Sequence, residues 1–146
     1  LGSDLLVHGS PASNAEYIID SGAALQALAD PVSRAVRRLF TGHSHIAGYF
    51  RVRGESCRYY AAEPEKPVTM ADDEQLVANA GSVGQPRDGD GRASWLEVDD
   101  QQLWYHRVAY AVAATQAKIY AIPELDDALA RRLTPKAAAG EAATET

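Results

Sequence analysis

The sequence predicts an α/β protein, and three observations carry that prediction. A short apolar run stopped by glycine, "DLLVHG" (Asp4 to Gly9), is followed by helix signals and then by a second run, "LFTGHSH". A two-strand hairpin is written in "RASWLEV" and "QLWYHRV" around "DDQ". Segments of helical period close the chain. At 146 residues the chain is one domain's worth, and 46% apolar with 23% charged residues is an ordinary globular composition.

Taken in order, "DLLVHG" reads as a buried strand. Ser13 and Glu16 have capping-box spacing, which predicts a helix over "NAEYIID". Asp30 is placed to cap a further helix and Pro31 suits its first turn. Val32, Ala35, Val36 and Leu39 then follow the i, i+3, i+4, i+7 pattern of one apolar face. "GYFRVRG" is the next strand. "AAEPEKPVTMADDEQ" (61–75) is polar, holds two prolines and reads as a loop. "QLVANAG" returns to strand, and the hairpin follows. Val112, Thr115, Ile119 and Ile122 share one helical face. A last helix is expected from about Pro123 to Leu133, with acids early and Arg131 and Arg132 late, as the helix dipole favours. The low-complexity end of the chain, "KAAAGEAATET", reads as a disordered tail.

Charge and cysteine usage narrow the function classes. A net charge of −6 argues against general nucleic-acid binding. Arg34, Arg37 and Arg38 fall on one expected helix as a solvated face. No apolar run approaches the ~18 residues of a membrane span, and no secretory signal is read. Cys57 is alone, which excludes an internal disulfide framework and fits a reducing cytoplasm.

Two constellations carry chemistry. His8 ends one apolar run, and His43 and His45 end another. On an extended strand, residues i and i+2 share a side, so His43 and His45 converge if the backbone stays extended past Gly42. Ligands gather outside the carboxyl ends of strands in α/β sheets. Spacing alone leaves two readings open: metal ligation, or ordinary surface and hydrogen-bonded histidines. The second constellation, "NAGSVGQPRDGDGR" (79–92), is a glycine-rich loop with two arginines. Such a loop can offer backbone N–H groups and a guanidinium to a phosphate, or it can be a long turn. Its "AGSVG" nearly matches the G-x-S-x-G nucleophile elbow, with Ser82 as nucleophile, His8 and Gly9 as an oxyanion-hole loop and His106 as base. That acyl-hydrolase reading has a flaw: "VGQPRDGDGR" cannot make the helix an elbow needs.

"LLVHGSP", "FTGHSH" and "NAGSVGQPRDGDGRAS", in that order, resemble the second half of a calcineurin-like metallophosphoesterase. The small bacterial branch described as phosphodiesterase-like or diadenosine-tetraphosphatase-related is the nearest in pattern. The resemblance runs from about Leu5 to Leu133, with Ala80 departing from the usual proline after Asn79. It implies the carboxyl-terminal half of a four-layer α/β/β/α sandwich over 1–134, with 135–146 as tail.

The resemblance also implies a dinuclear centre of two divalent ions (Mn, Fe, Zn or Ni), with His8 and His43 on one and His45 on the other. Arg87 and Arg92 become candidates for substrate phosphate contacts. The implied activity is hydrolysis of phosphomonoesters or phosphodiesters of small-molecule or nucleotide substrates, with no membrane partner. The family's D-x-H, G-D and G-N-H-D/E motifs precede the histidine-glycine motif and are not in this chain. A fragment that is inactive alone and associates through an exposed apolar face is therefore expected. A truncated binding or regulatory module of the same fold is the alternative.

Overall fold

The computed structural model describes residues 4–134. A five-stranded sheet in the order β1-β2-β6-β3-β4 faces a three-stranded sheet in the order β5-β8-β7. In the first sheet, β1 (Asp4–Leu6), β2 (Arg38–Thr41) and β6 (Gln75–Asn79) run parallel. β3 (Gly48–Arg53) runs antiparallel to β6, and β4 (Ser56–Ala61) antiparallel to β3. The second sheet is antiparallel throughout: β5 (Val68–Thr69), β7 (Ala93–Val98) and β8 (Gln102–Val108).

The first sheet is covered on both faces, which is why β2 and β6 read as continuous apolar runs rather than as alternation. Successive side chains point to opposite faces. Leu39 and Val77 enter the core under α1 (Ser21–Ala29), with Ile18, Ala24, Leu28 and Phe50. Leu76 and Ala78 enter the core between the two sheets, with Leu103 and Tyr105. Tyr105 is fully buried and donates its hydroxyl to the Gly48 carbonyl at 2.6 Å, so its polar end is satisfied. α2 (Val112–Tyr120) and α3 (Asp127–Arg131) pack on one another, and Gln116 donates to the Ala130 carbonyl at 3.0 Å.

The strand at Asp4, the strands at 48–53 and 75–79, the hairpin and α2 stand where the sequence puts them, but β1, expected to be buried, lies at the sheet edge with Leu6 exposed. The first helices do not. Residues 14–20 form no helix. Ser10 Oγ accepts from the N–H groups of Ala12 and Ser13 at 3.1 and 3.0 Å and donates to Glu16, so the expected cap partners serve a turn. The helix begins later, with Asp20 as N-cap accepting from Ala23 N–H at 2.8 Å.

The helix expected from Asp30 is also absent. Asp30 ends α1, as the steric clash before Pro31 requires. Residues 31–35 turn, Val32 is 61% exposed, and Leu39 lies in β2. The apolar spacing matched a helix, but pairing with β1 and β6 takes this segment as strand. Arg38, expected on a solvated face, is buried. Its guanidinium grips Asp4 through Nε–Oδ1 at 2.7 Å and Nη2–Oδ2 at 2.8 Å and also reaches the Asp99 carbonyl.

Two strands lie outside the sequence reading: β4, and the two-residue β5 inside the expected loop. The last helix is shorter than expected, because Asp126 caps it by accepting from Ala128 N–H at 2.7 Å. The expected tail, 135–146, lies outside the described residues.

Candidate metal centre

His8 follows β1, and the Gly42–His45 turn follows β2, the parallel neighbour of β1. The two strand ends are stitched together. Gly42 N–H donates to the His8 carbonyl at 2.9 Å, and Thr41 Oγ1 donates to the Gly9 carbonyl at 2.5 Å. Gly9 is required here for space. A Cβ there would stand 2.6–2.7 Å from the carbonyl oxygens of Ser13, Asn14 and Glu16, which wrap over it. That wrap carries Tyr17 onto His43, with ring centroids 4.1 Å apart and planes 28° from parallel.

The backbone past Gly42 does not stay extended. His43 and His45 both adopt φ of 61°, the left-handed region, so strand alternation is not what directs their side chains. The left-handed region costs an L-residue roughly 1–2 kcal/mol, and His is among the residues that visit it. Asn79, at the end of β6, holds this turn in place. Its Nδ2 donates to the Gly42 carbonyl at 2.6 Å and to Ser44 Oγ at 2.9 Å, and its Oδ1 accepts from Gly81 N–H at 2.9 Å. Sequence reasoning did not single out Asn79 as a functional side chain. Its place at a strand end beside a glycine loop was the available signal.

The turn brings two of the three histidines together. His8 Nε2 lies 3.1 Å from His43 Nδ1. Two nitrogens on one ion, at about 2.0–2.1 Å each and tetrahedral or smaller angles, are separated by about 3.0–3.4 Å. The pair therefore fits a shared cation, or a proton between the rings. His45 points elsewhere: its Nδ1 lies 2.9 Å from the Gln85 carbonyl. A carbonyl can only accept, so Nδ1 is the donor, and in a neutral ring the lone pair is then on Nε2. This is how a ligating histidine is usually oriented by its second contact. Among the described residues, no group of three or more His, Cys, Asp and Glu side chains converges on a metal position. The described residues thus offer one converged imidazole pair that a cation could share, with His45 oriented separately by the Gln85 carbonyl.

The glycine-rich loop is built on its acids. Asp88 accepts from Ala47 N–H at 3.0 Å and from the buried Arg107 guanidinium. Arg92 is held by Asp90, with Nη2–Oδ2 at 2.6 Å, and this guanidinium holds the Asp90 carboxyl down at about 2. Arg92 is thus occupied within its own loop, whereas the Arg87 side chain is exposed and donates to Gln85 Oε1 at 2.9 Å. The nucleophile elbow is absent. Ser82 Oγ accepts from Gln85 N–H at 2.9 Å in a loop that leads to β7, not to a helix. His106 is held between Glu65 and Glu97, each at 2.9 Å.

No family model matches the chain. It is similar to an uncharacterized protein of Methanocaldococcus jannaschii, 32% identical over 83 residues, which is 56% of this chain and 32% of that protein. It is also similar to the crystal structure of a metallophosphoesterase from Sphaerobacter thermophilus, with a TM-score of 0.76 and 31% identity over 90% of this chain and 54% of that one. The chain thus spans about half the length of the solved structure and a third of the curated relative. The two packed sheets and this structural match together show that the described residues have the fold of part of a calcineurin-like metallophosphoesterase.

Proposed function

We propose that this chain is part of a metal-dependent phosphoesterase, hydrolysing phosphomonoester or phosphodiester bonds at a two-metal centre. The observation that carries the reading is the 3.1 Å approach of His8 Nε2 to His43 Nδ1 in a metallophosphoesterase fold. In this reading His8 and His43 hold one divalent ion, and His45 offers Nε2 to the other. Bound ions would supply Lewis acidity at the phosphoryl group. This chain's own part is to orient those imidazoles. The Gln85 carbonyl sets the His45 tautomer, and Asn79 fixes the turn. Imidazole ligands with carboxylates suit Mn, Fe, Zn or Ni.

The chain by itself is proposed to be inactive. No carboxylate joins His8 and His43 among the described residues, and the match covers 54% of the solved metallophosphoesterase. The test compares the 146-residue chain with the full-length gene product, using bis(p-nitrophenyl) phosphate and Mn²⁺. The full-length product should turn over, and His43→Ala or His45→Ala in it should abolish turnover. Turnover by the 146-residue chain, or undiminished turnover in both variants, would sink the reading.

A further inference from the structure

One cavity of about 680 Å³ lies between the 85–89 loop and α3, within the size range of small-molecule sites. Pro86 and Ala128 give it apolar walls, and Arg87, Arg131 and Arg132 line it with positive charge. Among the described residues, Arg87 and Arg132 make no ion pair. Arg131 is 63% exposed, with Asp126 and Asp127 at 4.0 and 3.8 Å. Three guanidiniums around one hollow are unusual in a chain of net charge −6, and they focus a local positive field.

One wall of the cavity also contacts His45 through the Gln85 backbone. His45 Nδ1 meets the Gln85 carbonyl at 2.9 Å, and Arg87 N–H returns to the His45 carbonyl at 3.0 Å. The segment that forms the cavity wall is the segment that orients His45.

We propose that this cavity binds an organic phosphate of nucleotide size, its phosphate on the guanidiniums and its apolar or aromatic body against Pro86 and Ala128. Arg131 and Arg132 are its specificity-determining residues, with Arg87 on the opposite wall. Guanidiniums match phosphate oxygens in bidentate fashion and stack on planar groups, so three of them with Pro86 and Ala128 favour such a ligand over inorganic phosphate. This binding does not depend on the phosphoesterase reading.

The 146-residue chain, in EDTA, is titrated calorimetrically with ADP, adenosine and inorganic phosphate. ADP should bind at least tenfold more tightly than either of the others. Arg131→Ala with Arg132→Ala should weaken ADP at least tenfold, and Ala128→Trp, which fills the cavity, should do the same. Arg34→Ala, at an exposed arginine outside the cavity lining, should leave ADP binding unchanged. Absence of ADP binding, or ADP binding unmoved by both the double variant and Ala128→Trp, would overturn the proposal. Failure of the phosphoesterase reading shows separately, as missing Mn²⁺-dependent turnover in the full-length product while the metal-free titration still responds to the arginines.

Discussion

His8 Nε2 and His43 Nδ1 stand 3.1 Å apart at the ends of two adjacent parallel strands. Nothing local to either histidine sets that separation. It follows from the parallel pairing of β1 and β2, from the turn after Gly42, and from Tyr17 stacked on the His43 ring. His8→Ala and His43→Ala should each remove tight Mn²⁺ or Zn²⁺ binding by the full-length product. Calorimetric titration reads this, and equal affinity in either variant contradicts a shared ion.

Asn79→Ala tests the clamp on the turn. It removes one donor each from the Gly42 carbonyl and Ser44 hydroxyl, which keep the Ser44 and Ile46 N–H groups, and takes the acceptor from Gly81 N–H; leaving a buried polar group unpaired costs about 1–3 kcal/mol. Metal affinity should fall roughly 10–100-fold, as when a ligand loses its outer support. Denaturant melts and metal titrations check the two effects separately. Unchanged affinity would confine Asn79 to stability.

The Arg38–Asp4 pair is buried, with side chains 7% and 1% exposed. Arg38→Met alone leaves a buried carboxylate without its partner, at a cost of about 3–5 kcal/mol. Asp4→Leu added to Arg38→Met should recover much of that loss, because apolar packing often replaces a buried pair at little cost. Urea midpoints of the single and double variants decide it.

His106 gives a pH signature. Hydrogen bonding to Glu65, aided by Glu97, raises its pKa above the usual histidine value. A raised folded-state pKa stabilises the fold fully below the unfolded value near 6.5 and loses that contribution as pH rises through the folded one. Thermal stability should therefore decline on going from about pH 6 to above the folded pKa. Glu65→Gln with Glu97→Gln should flatten this slope, and NMR titration of the His106 ring should show the pKa move back down.

β1 is an edge strand, and Leu6 on it is 71% exposed. Exposed apolar edges pair with other chains. The 146-residue chain should associate in a concentration-dependent manner on gel filtration with light scattering. Leu6→Lys should reduce that association, and a concentration-independent monomer in the unsubstituted chain would contradict it.

Much of the fold was readable from residue patterns. The hairpin showed because "RASWLEV" and "QLWYHRV" alternate around a polar turn, and β6 because "QLVAN" is a compact apolar run. The region 10–39 misled because its signals were local and its partners were not. Glu16 had capping spacing with Ser13 but bonds Ser10, and Val32–Leu39 had helical spacing although Leu39 belongs to a sheet. Arg131 and Arg132 read as helix-dipole partners, and only the approach of α3 to the 85–89 loop gives them a shared cavity.

Residue order alone was enough to specify an α/β chain, three histidines at strand ends and a motif series resembling one phosphoesterase family, because those features depend on short-range periodicity and residue chemistry. Which nitrogens meet was not specified that way. Strand pairing across 35 residues, two left-handed histidine backbones and a carbonyl from the 85–87 segment orient the imidazoles. Such separations arise from packing between distant segments, and periodicity carries no information about them.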